Sequence, residues 1–177
     1  GPVQLDRVIV NKGIRVFYTA QTGKDARSRF RDLVTLVQTS PLHAVVQYRN
    51  SQGDEGIKFP NGSELKIFAP VMAALHGETP PLVTLDEIWE YDEVLGDALL
   101  EGAIIPAQMS LAGRRQVWMI STAGTALSTF MRKWVERGRA SVDKPNAKIA
   151  YFEWGLAEGD DPYDPEAIAR FHPAVGQ

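Results

Sequence analysis

The sequence predicts an α/β protein, a three-layer arrangement in which a sheet is flanked by helices. Two observations carry that prediction. Short runs rich in β-branched and aromatic residues alternate with longer stretches whose apolar residues recur at helical spacing. The runs are punctuated by Gly, Pro, Asn and Asp, the residues that end strands and helices for steric reasons. No internal repeat or low-complexity tract competes with this reading.

Residues 14–20 are β-branched and aromatic and enter a strand after Gly13. From Lys24 to about Gln38, the apolar residues Ala26, Phe30, Leu33, Val34 and Val37 line one helical face. Lys24, Arg27, Arg29 and Arg31 point mostly elsewhere, and Ser40-Pro41 ends the helix. Short strands are expected at 44–49, 56–59 and 64–69, with Asn61-Gly62 marking a hairpin between the last two. Pro80-Pro81 introduces Leu82-Val83-Thr84-Leu85, a buried strand ending in Asp86-Glu87. A helical stretch at 91–102, a strand at 116–120, a turn at 121–124 and a helix at 127–140 follow. A strand near 147–154 and an Asp-, Gly- and Pro-rich tail from 158, with one short helix around 165–171, complete the chain. Trp118, Trp134, Trp154 and most of the Phe residues are expected in the core.

A chain of 177 residues has the size of one ordinary domain. With 44% hydrophobic and 23% charged residues it is neither disordered nor collagen-like. Nineteen Lys and Arg against 22 Asp and Glu give a net charge of −3, so contact with nucleic acid would need a local patch. The chain has no cysteine, which removes disulfides, thiolate metal sites and Cys nucleophiles. No apolar stretch approaches the ~18–20 residues of a membrane span, and the start lacks a signal peptide's pattern. These features predict a soluble, intracellular single domain. Gly1-Pro2 resembles the remnant of a cleaved tag, which makes residue 3 an engineered boundary.

In parallel α/β sheets the chemistry sits at the carboxyl ends of the strands. Two candidate sites lie at such ends. The first is Asp86-Glu87, where an apolar strand delivers adjacent carboxylates in the Walker B manner. The first acid suits Mg²⁺, which requires hard oxygen ligands, and the second can orient or deprotonate a water. Read blandly, the same residues are a buried strand ending in a solvated acidic turn. Glu90, Asp92 and Glu93 extend the cluster to five carboxylates in eight residues. They could gather a second metal, but the first turn of the next helix accounts for them, because acids there favour the helix dipole. The second candidate is Ser121-Thr122-Ala123-Gly124, whose small hydroxyl residues could sense a phosphate group or simply form a turn.

A nucleotide hydrolase also needs the phosphate loop G-x-x-x-x-G-K-[ST]. Gly23-Lys24 is the only Gly-Lys pair, Asp25 follows it, and Tyr18 stands where the first glycine belongs. Residues 21–24 therefore read as a strand-to-helix turn, and no nucleotide-binding residue is assignable to a Walker A segment. Ser121 does not lie in a G-x-S-x-G elbow. His43, His76 and His172 share no zinc-type spacing. Arg132, Lys133, Arg137 and Arg139 make the 127–140 helix basic, as a phosphate-binding face or, more ordinarily, a solvated one.

Several segments in order carry a resemblance: residues 17–27, Phe59-Pro60-Asn61-Gly62-Ser63, Leu75-His76-Gly77, Leu85-Asp86-Glu87-Ile88-Trp89-Glu90 and Ile120-Ser121-Thr122-Ala123-Gly124. Together they resemble the ATPase domain of the large terminase subunit of tailed bacteriophages, particularly the lineage of phages of actinobacteria. In the tail, Trp154-Gly155-Leu156, Asp160-Asp161-Pro162 and His172-Pro173-Ala174 resemble that family's exit toward its nuclease domain. The resemblance implies a RecA-like, additional-strand P-loop ATPase using ATP and Mg²⁺ to package double-stranded DNA. It also implies a small terminase subunit, a portal and procapsid and further copies in a ring as partners, in the cytoplasm of the infected bacterial host. By the same resemblance Asp86 is the magnesium residue, Glu87 the catalytic carboxylate, and Ser121, Thr122, Ala123 and Gly124 the coupling motif. Residues 19–26 match a region where related translocases place nucleic-acid contacts. Residues 3–157 then form the ATPase core and 158–177 a linker toward the nuclease.

Two departures qualify it. The phosphate loop expected upstream of the 14–20 strand is missing, residues 3–12 reading as the end of the helix that follows it, so this chain alone is expected to be inactive. Where many terminases carry Arg-Gly before Walker B, this chain has His76-Gly77. The missing strand is central in that fold, so its loss should leave an unpaired sheet edge, open to another segment or a second copy. The alternatives are a non-hydrolysing module that docks DNA or protein and, ranked behind it, a metal-dependent nuclease using the acids at 86–93.

Overall fold

The structure is a computed structural model that describes residues 2–51, 53–111, 113–157 and 159–171. It divides into two compact units, residues 1–132 and 133–177.

The first unit is built on a six-stranded sheet of order β2-β3-β4-β1-β5-β6. The strands are β1 (Arg15–Thr19), β2 (Gln47–Ser51), β3 (Asp54–Lys58), β4 (Glu64–Ile67), β5 (Leu82–Asp86) and β6 (Gln116–Ile120). β4, β1, β5 and β6 run parallel, while β2, β3 and β4 form an antiparallel meander. The hairpin expected around Asn61-Gly62 joins β3 to β4, and Gly62 takes the positive φ of 83° that its turn requires. β2 begins later than the 44–49 reading because Pro41–Ala44 forms a 3₁₀ turn.

Helices α1 (Pro2–Val10) and α2 (Gly23–Gln38) cover one face. Val8 of α1 and Ala26, Phe30 and Val37 of α2 pack against Val16, Tyr18, Leu65, Ile67 and Leu82 in one buried cluster. α2 starts where the strand-to-helix turn was expected: the Thr22 hydroxyl caps it by accepting from the Asp25 N–H at 3.2 Å. On the other face Phe17 and Phe68 meet edge-on with centroids 6.0 Å apart. β5 is buried on both faces, Leu82 to Leu85 each having no exposed surface. The polar member of that run, Thr84, is satisfied by Gln4 Nε2 donating to its Oγ1 at 2.6 Å.

After β5 comes a helical passage longer than the 91–102 expectation. It opens as α3 (Glu93–Leu99), passes through a π-helical segment at Leu100–Ile104 and ends as α4 (Ile105–Ala107). Asp92 caps α3, its Oδ1 accepting from the Leu95 N–H at 2.7 Å, so the acids at 92 and 93 are used as the helix-start reading requires. Gln108, fully buried, then ties this passage to the sheet by donating to the carbonyls of Pro80 and Gln116.

Helix α5 (Thr129–Arg139) begins in the first unit and ends in the second. In the second unit Arg137 stacks on Trp134 at 4.9 Å and Arg139 makes a two-armed ion pair with Glu153. Arg132 donates to the Ala126 carbonyl in the first. These local contacts support the solvated-face reading of the basic helix. The helix α6 (Pro165–Phe171) stands at the expected place.

Three expectations are corrected. Residues 147–154 form no strand, since among the described residues no other strand pairs with them. Trp118 and Trp154 are not core: they are 38% and 60% exposed. The reason is the same in both cases: among the described residues β6 has a strand neighbour on one side only, and the Trp154 segment pairs with no strand. The last part of the predicted tail, including His172-Pro173-Ala174, lies outside the described residues, as does Gly1.

Gly96 of α3 lies against the buried ring of Phe130, and a Cβ there would sit 2.3 Å from its carbons. Intrinsic helix propensity favours alanine at this position by up to about 1 kcal/mol. The contact should override it: Gly96→Ala is expected to destabilise by about 1–3 kcal/mol in urea unfolding. A gain in stability would show that Phe130 is free to move.

Candidate functional site

The parallel register brings the carboxyl ends of β1, β5 and β6 to one side of the sheet: Thr19 pairs with Leu85 and Asp86 with Ile120. Asp86 and Glu87 therefore lie between the Ala20-Gln21 turn and the Ser121-Thr122 turn. This is the crevice where open α/β sheets place ligands.

Asp86 is held on both oxygens. Its Oδ1 accepts from the Glu87 N–H at 3.0 Å, and its Oδ2 accepts from the Tyr18 hydroxyl. Burial, and then the bond to Asp86, push the Tyr18 phenol well above its ordinary pKa, so it is a fixed donor at all working pH. Tyr91, raised chiefly by burial, donates to the Ala20 carbonyl at 2.8 Å and pins the neighbouring turn. Gln21 closes that side by donating to Glu90 Oε2 at 2.8 Å.

Glu87 is the geometric exception. Its backbone sits in the left-handed region, φ 55° and ψ 47°, which non-glycine residues enter at a cost of about 1–2 kcal/mol. The left-handed turn carries the carboxylate to three side chains. Trp89 Nε1 donates to Oε2 at 2.8 Å, Arg29 Nη2 lies 3.4 Å from Oε1, and Thr122 Oγ1 lies 3.4 Å from Oε2. The indole bond is the short one, and the other two are long contacts near solvent. The Ser121 hydroxyl accepts the Trp89 N–H at 3.1 Å, so the two turns are stitched together.

Of the sequence-predicted residues, Asp86, Glu87, Ser121 and Thr122 are brought together. Ala123 and Gly124 are not part of the cluster: Gly124 sits where a Cβ would come within 2.5 Å of Ser128 Oγ, at the approach to α5. His43 and His76 stay apart, and His172 lies outside the described residues. Sequence reasoning missed Tyr18, Gln21 and Arg29. All three come from the first strand and its helix, and only the β1–β5 pairing reveals them. Trp89 lies two positions from Glu87, but only the left-handed turn aims its indole back.

The donor set suits Mg²⁺ only in part. A single fixed carboxylate with hydroxyls nearby fits a hydrated Mg²⁺ that takes one or two protein ligands. No group of three or more His, Cys, Asp or Glu side chains able to hold a metal exists among the described residues. Beside the site a cavity of about 20 Å³ opens between Gln4, Tyr18 and Arg29, room for a water but not for a nucleotide. No helix among the described residues is long and apolar enough to cross a membrane.

The fold is of the RecA-like, additional-strand α/β class. No family model matches the chain, and no curated protein does. Solved structures do match. The large terminase of bacteriophage HK97 covers 93% of this chain at 20% identity, with a TM-score of 0.71 over 33% of its own length. The large terminase of the thermophilic bacteriophage D6E covers 75% at 11% identity, with a TM-score of 0.52 over 32% of its own length. The chain thus spans about a third of each terminase, and its fold is that of a large-terminase domain.

Replacing Glu87 by glycine removes the left-handed strain of about 1–2 kcal/mol and adds about 0.5–1 kcal/mol of chain entropy cost. Glu87→Gly is expected to stabilise the protein by roughly 0.5–1 kcal/mol in urea unfolding. A clear loss of stability would mean that the side-chain contacts outweigh the strain.

Proposed function

We propose that the chain is the ATPase core of a phage large terminase, part of a motor that packages double-stranded DNA into procapsids. One observation supports this most: the strained Glu87 and the fixed Asp86 stand together at the carboxyl end of β5, between β1 and β6, in a fold shared with the HK97 large terminase. Strain at a non-glycine residue survives where function holds it, and here it presents a carboxylate to the crevice.

In this reading Asp86 holds Mg²⁺, and the Tyr18 hydroxyl and Glu87 N–H orient its carboxylate. Mg²⁺ held there would supply charge neutralisation for nucleotide phosphates. Glu87 orients the attacking water and accepts its proton, its carboxylate kept in place by the Trp89 indole and Arg29. Ser121 and Thr122 contact the Glu87–Trp89 turn directly. With Ala123 and Gly124 they lead into α5, whose Thr129 hydroxyl accepts the Glu93 N–H at 3.0 Å. They form the coupling element that passes a change at the phosphates to the helices.

The phosphate cradle is supplied by sequence upstream of Val3. Residues 3–157 are the core and 158–177 the linker toward a nuclease domain. ATP, double-stranded DNA, a small terminase subunit, the portal and procapsid, and further copies in a ring belong to the whole protein, which acts in the cytoplasm of the infected bacterium. A docking module without hydrolysis is the second reading, and the missing phosphate loop favours it for this chain in isolation.

The test is ATP turnover with Mg²⁺. This chain alone is expected to turn over negligibly, and the protein extended upstream to include an intact phosphate loop is expected to hydrolyse ATP. In the extended protein Glu87→Gln should lower turnover by at least about a hundredfold while retaining nucleotide binding. An extended protein that hydrolyses nothing would sink the motor reading. Metal-dependent cutting of plasmid by the present chain would turn the assignment toward a nuclease.

A further inference from the structure

The Phe59-Pro60-Asn61-Gly62-Ser63 motif has no part in the site, yet its side chains reach beyond their own hairpin. The turn between β3 and β4 closes with backbone alone. The Phe59 N–H donates to the Ser63 carbonyl at 2.9 Å, and the Gly62 N–H to the Phe59 carbonyl at 3.0 Å. Asn61 Oδ1 adds a local bond by accepting the Ser63 N–H at 3.0 Å.

The amide nitrogen of Asn61 serves a different element. Nδ2 lies 2.8 Å from the Val8 carbonyl, 3.1 Å from that of Ile9 and 3.0 Å from that of Asn11. Its two N–H groups are shared among carbonyls at the end of α1, where a helix has no donors of its own to offer. Ser63, fully buried, completes the clasp. Its hydroxyl donates to the Asn11 carbonyl at 2.6 Å and accepts the Ile14 N–H at 3.2 Å.

The same helix is anchored a second time nearer its start. Gln4, 3% exposed, donates to Thr84 of β5, two positions before Asp86. The two anchors give α1 its direction. Its carboxyl end lies against Asn61 and the entry of β1, where the Ile14 carbonyl accepts the Glu64 N–H at 2.8 Å. Its amino end runs toward the side of the sheet on which Asp86 and Glu87 stand.

We propose that Asn61 is a positioning residue for the nucleotide phosphates: by clamping the last carbonyls of α1 it fixes how far that helix reaches toward Asp86. This rests on the ATPase reading, in which α1 follows the phosphate loop and carries it at its amino end. A slide by one residue's rise moves the loop by about 1.5 Å against the Asp86 carboxylate. Displacements of about 1 Å already spoil the alignment of bound groups. Asp86 and Glu87 are themselves held by Tyr18, Trp89 and Thr122, none of which belongs to α1. Losing the clasp therefore loosens the grip on the phosphates and leaves the chemistry of bound nucleotide in place.

Asn61→Asp tests this, because it keeps the oxygen that closes the turn. It replaces the donor with a charged acceptor facing three carbonyls and the negative end of the helix. In the present chain, hydrogen exchange of the α1 amides from Asp6 to Val10 should accelerate at least about tenfold, with Val83 to Leu85 unchanged. In the protein extended to include the phosphate loop, KM for ATP should rise at least about tenfold while kcat stays within about threefold. Ser63→Ala, which removes one arm of the clasp, should act in the same sense and less strongly. A variant that merely lost folded protein would show a lower kcat at unchanged KM. That pattern in both variants, or unaltered exchange in α1, overturns the proposal. Failure of the motor reading looks different: the extended parent itself shows no turnover, and the nucleotide role of Asn61 falls with it.

Discussion

The burial of β5 is the constraint on which the rest of the structure depends. Leu82, Val83, Thr84 and Leu85 are fully buried, with β1 on one side and β6 on the other. The strand therefore cannot slip by one residue without turning its apolar side chains out of both layers. A fixed register fixes the point at which the chain leaves the sheet, and the two carboxylates begin there. Even the one polar side chain inside the run, Thr84, is answered by Gln4 from α1, so the helix and the strand report on each other's position.

From that fixed point the site is assembled by local geometry. The chain turns through a left-handed residue at Glu87, which swings its carboxylate to the indole of Trp89 two residues on. Tyr18 from the neighbouring strand holds Asp86, and Ser121 from the other neighbouring strand holds the Trp89 backbone. Three consecutive strands in space thus each contribute one contact. The two carboxylates are treated differently: Asp86 is held by an inward hydroxyl and a backbone N–H, while Glu87 faces the crevice with one short bond and two long ones. That division suits one carboxylate that stays put and one that must respond.

Much of this was legible in the sequence, for identifiable reasons. The buried strand at 82–85, the acids that end it, the amphipathic helix from about Lys24 and the hydroxyl turn at 121–122 are all local patterns, and local patterns survive into the structure. The partners Tyr18, Gln21 and Arg29 were not legible as site residues, because they reach the site through strand pairing more than fifty residues distant in sequence. The failures have the same origin. Trp118 and the 147–154 segment have the composition of buried strands, but burial and strandhood require a neighbour on the other side. Pattern alone does not say whether that neighbour is present.

The proposed function requires the Asp86–Glu87 turn to be the place where a divalent ion meets this protein. The four tryptophans offer a direct readout, since each indole N–H gives its own resonance and only Trp89 is bonded to Glu87. Titration with Mn²⁺, a paramagnetic substitute for Mg²⁺, should broaden the Trp89 indole signal first, and Asp86→Asn should abolish that selectivity. Broadening that reaches all four indoles together, or that persists at Trp89 without the Asp86 carboxylate, would contradict the account.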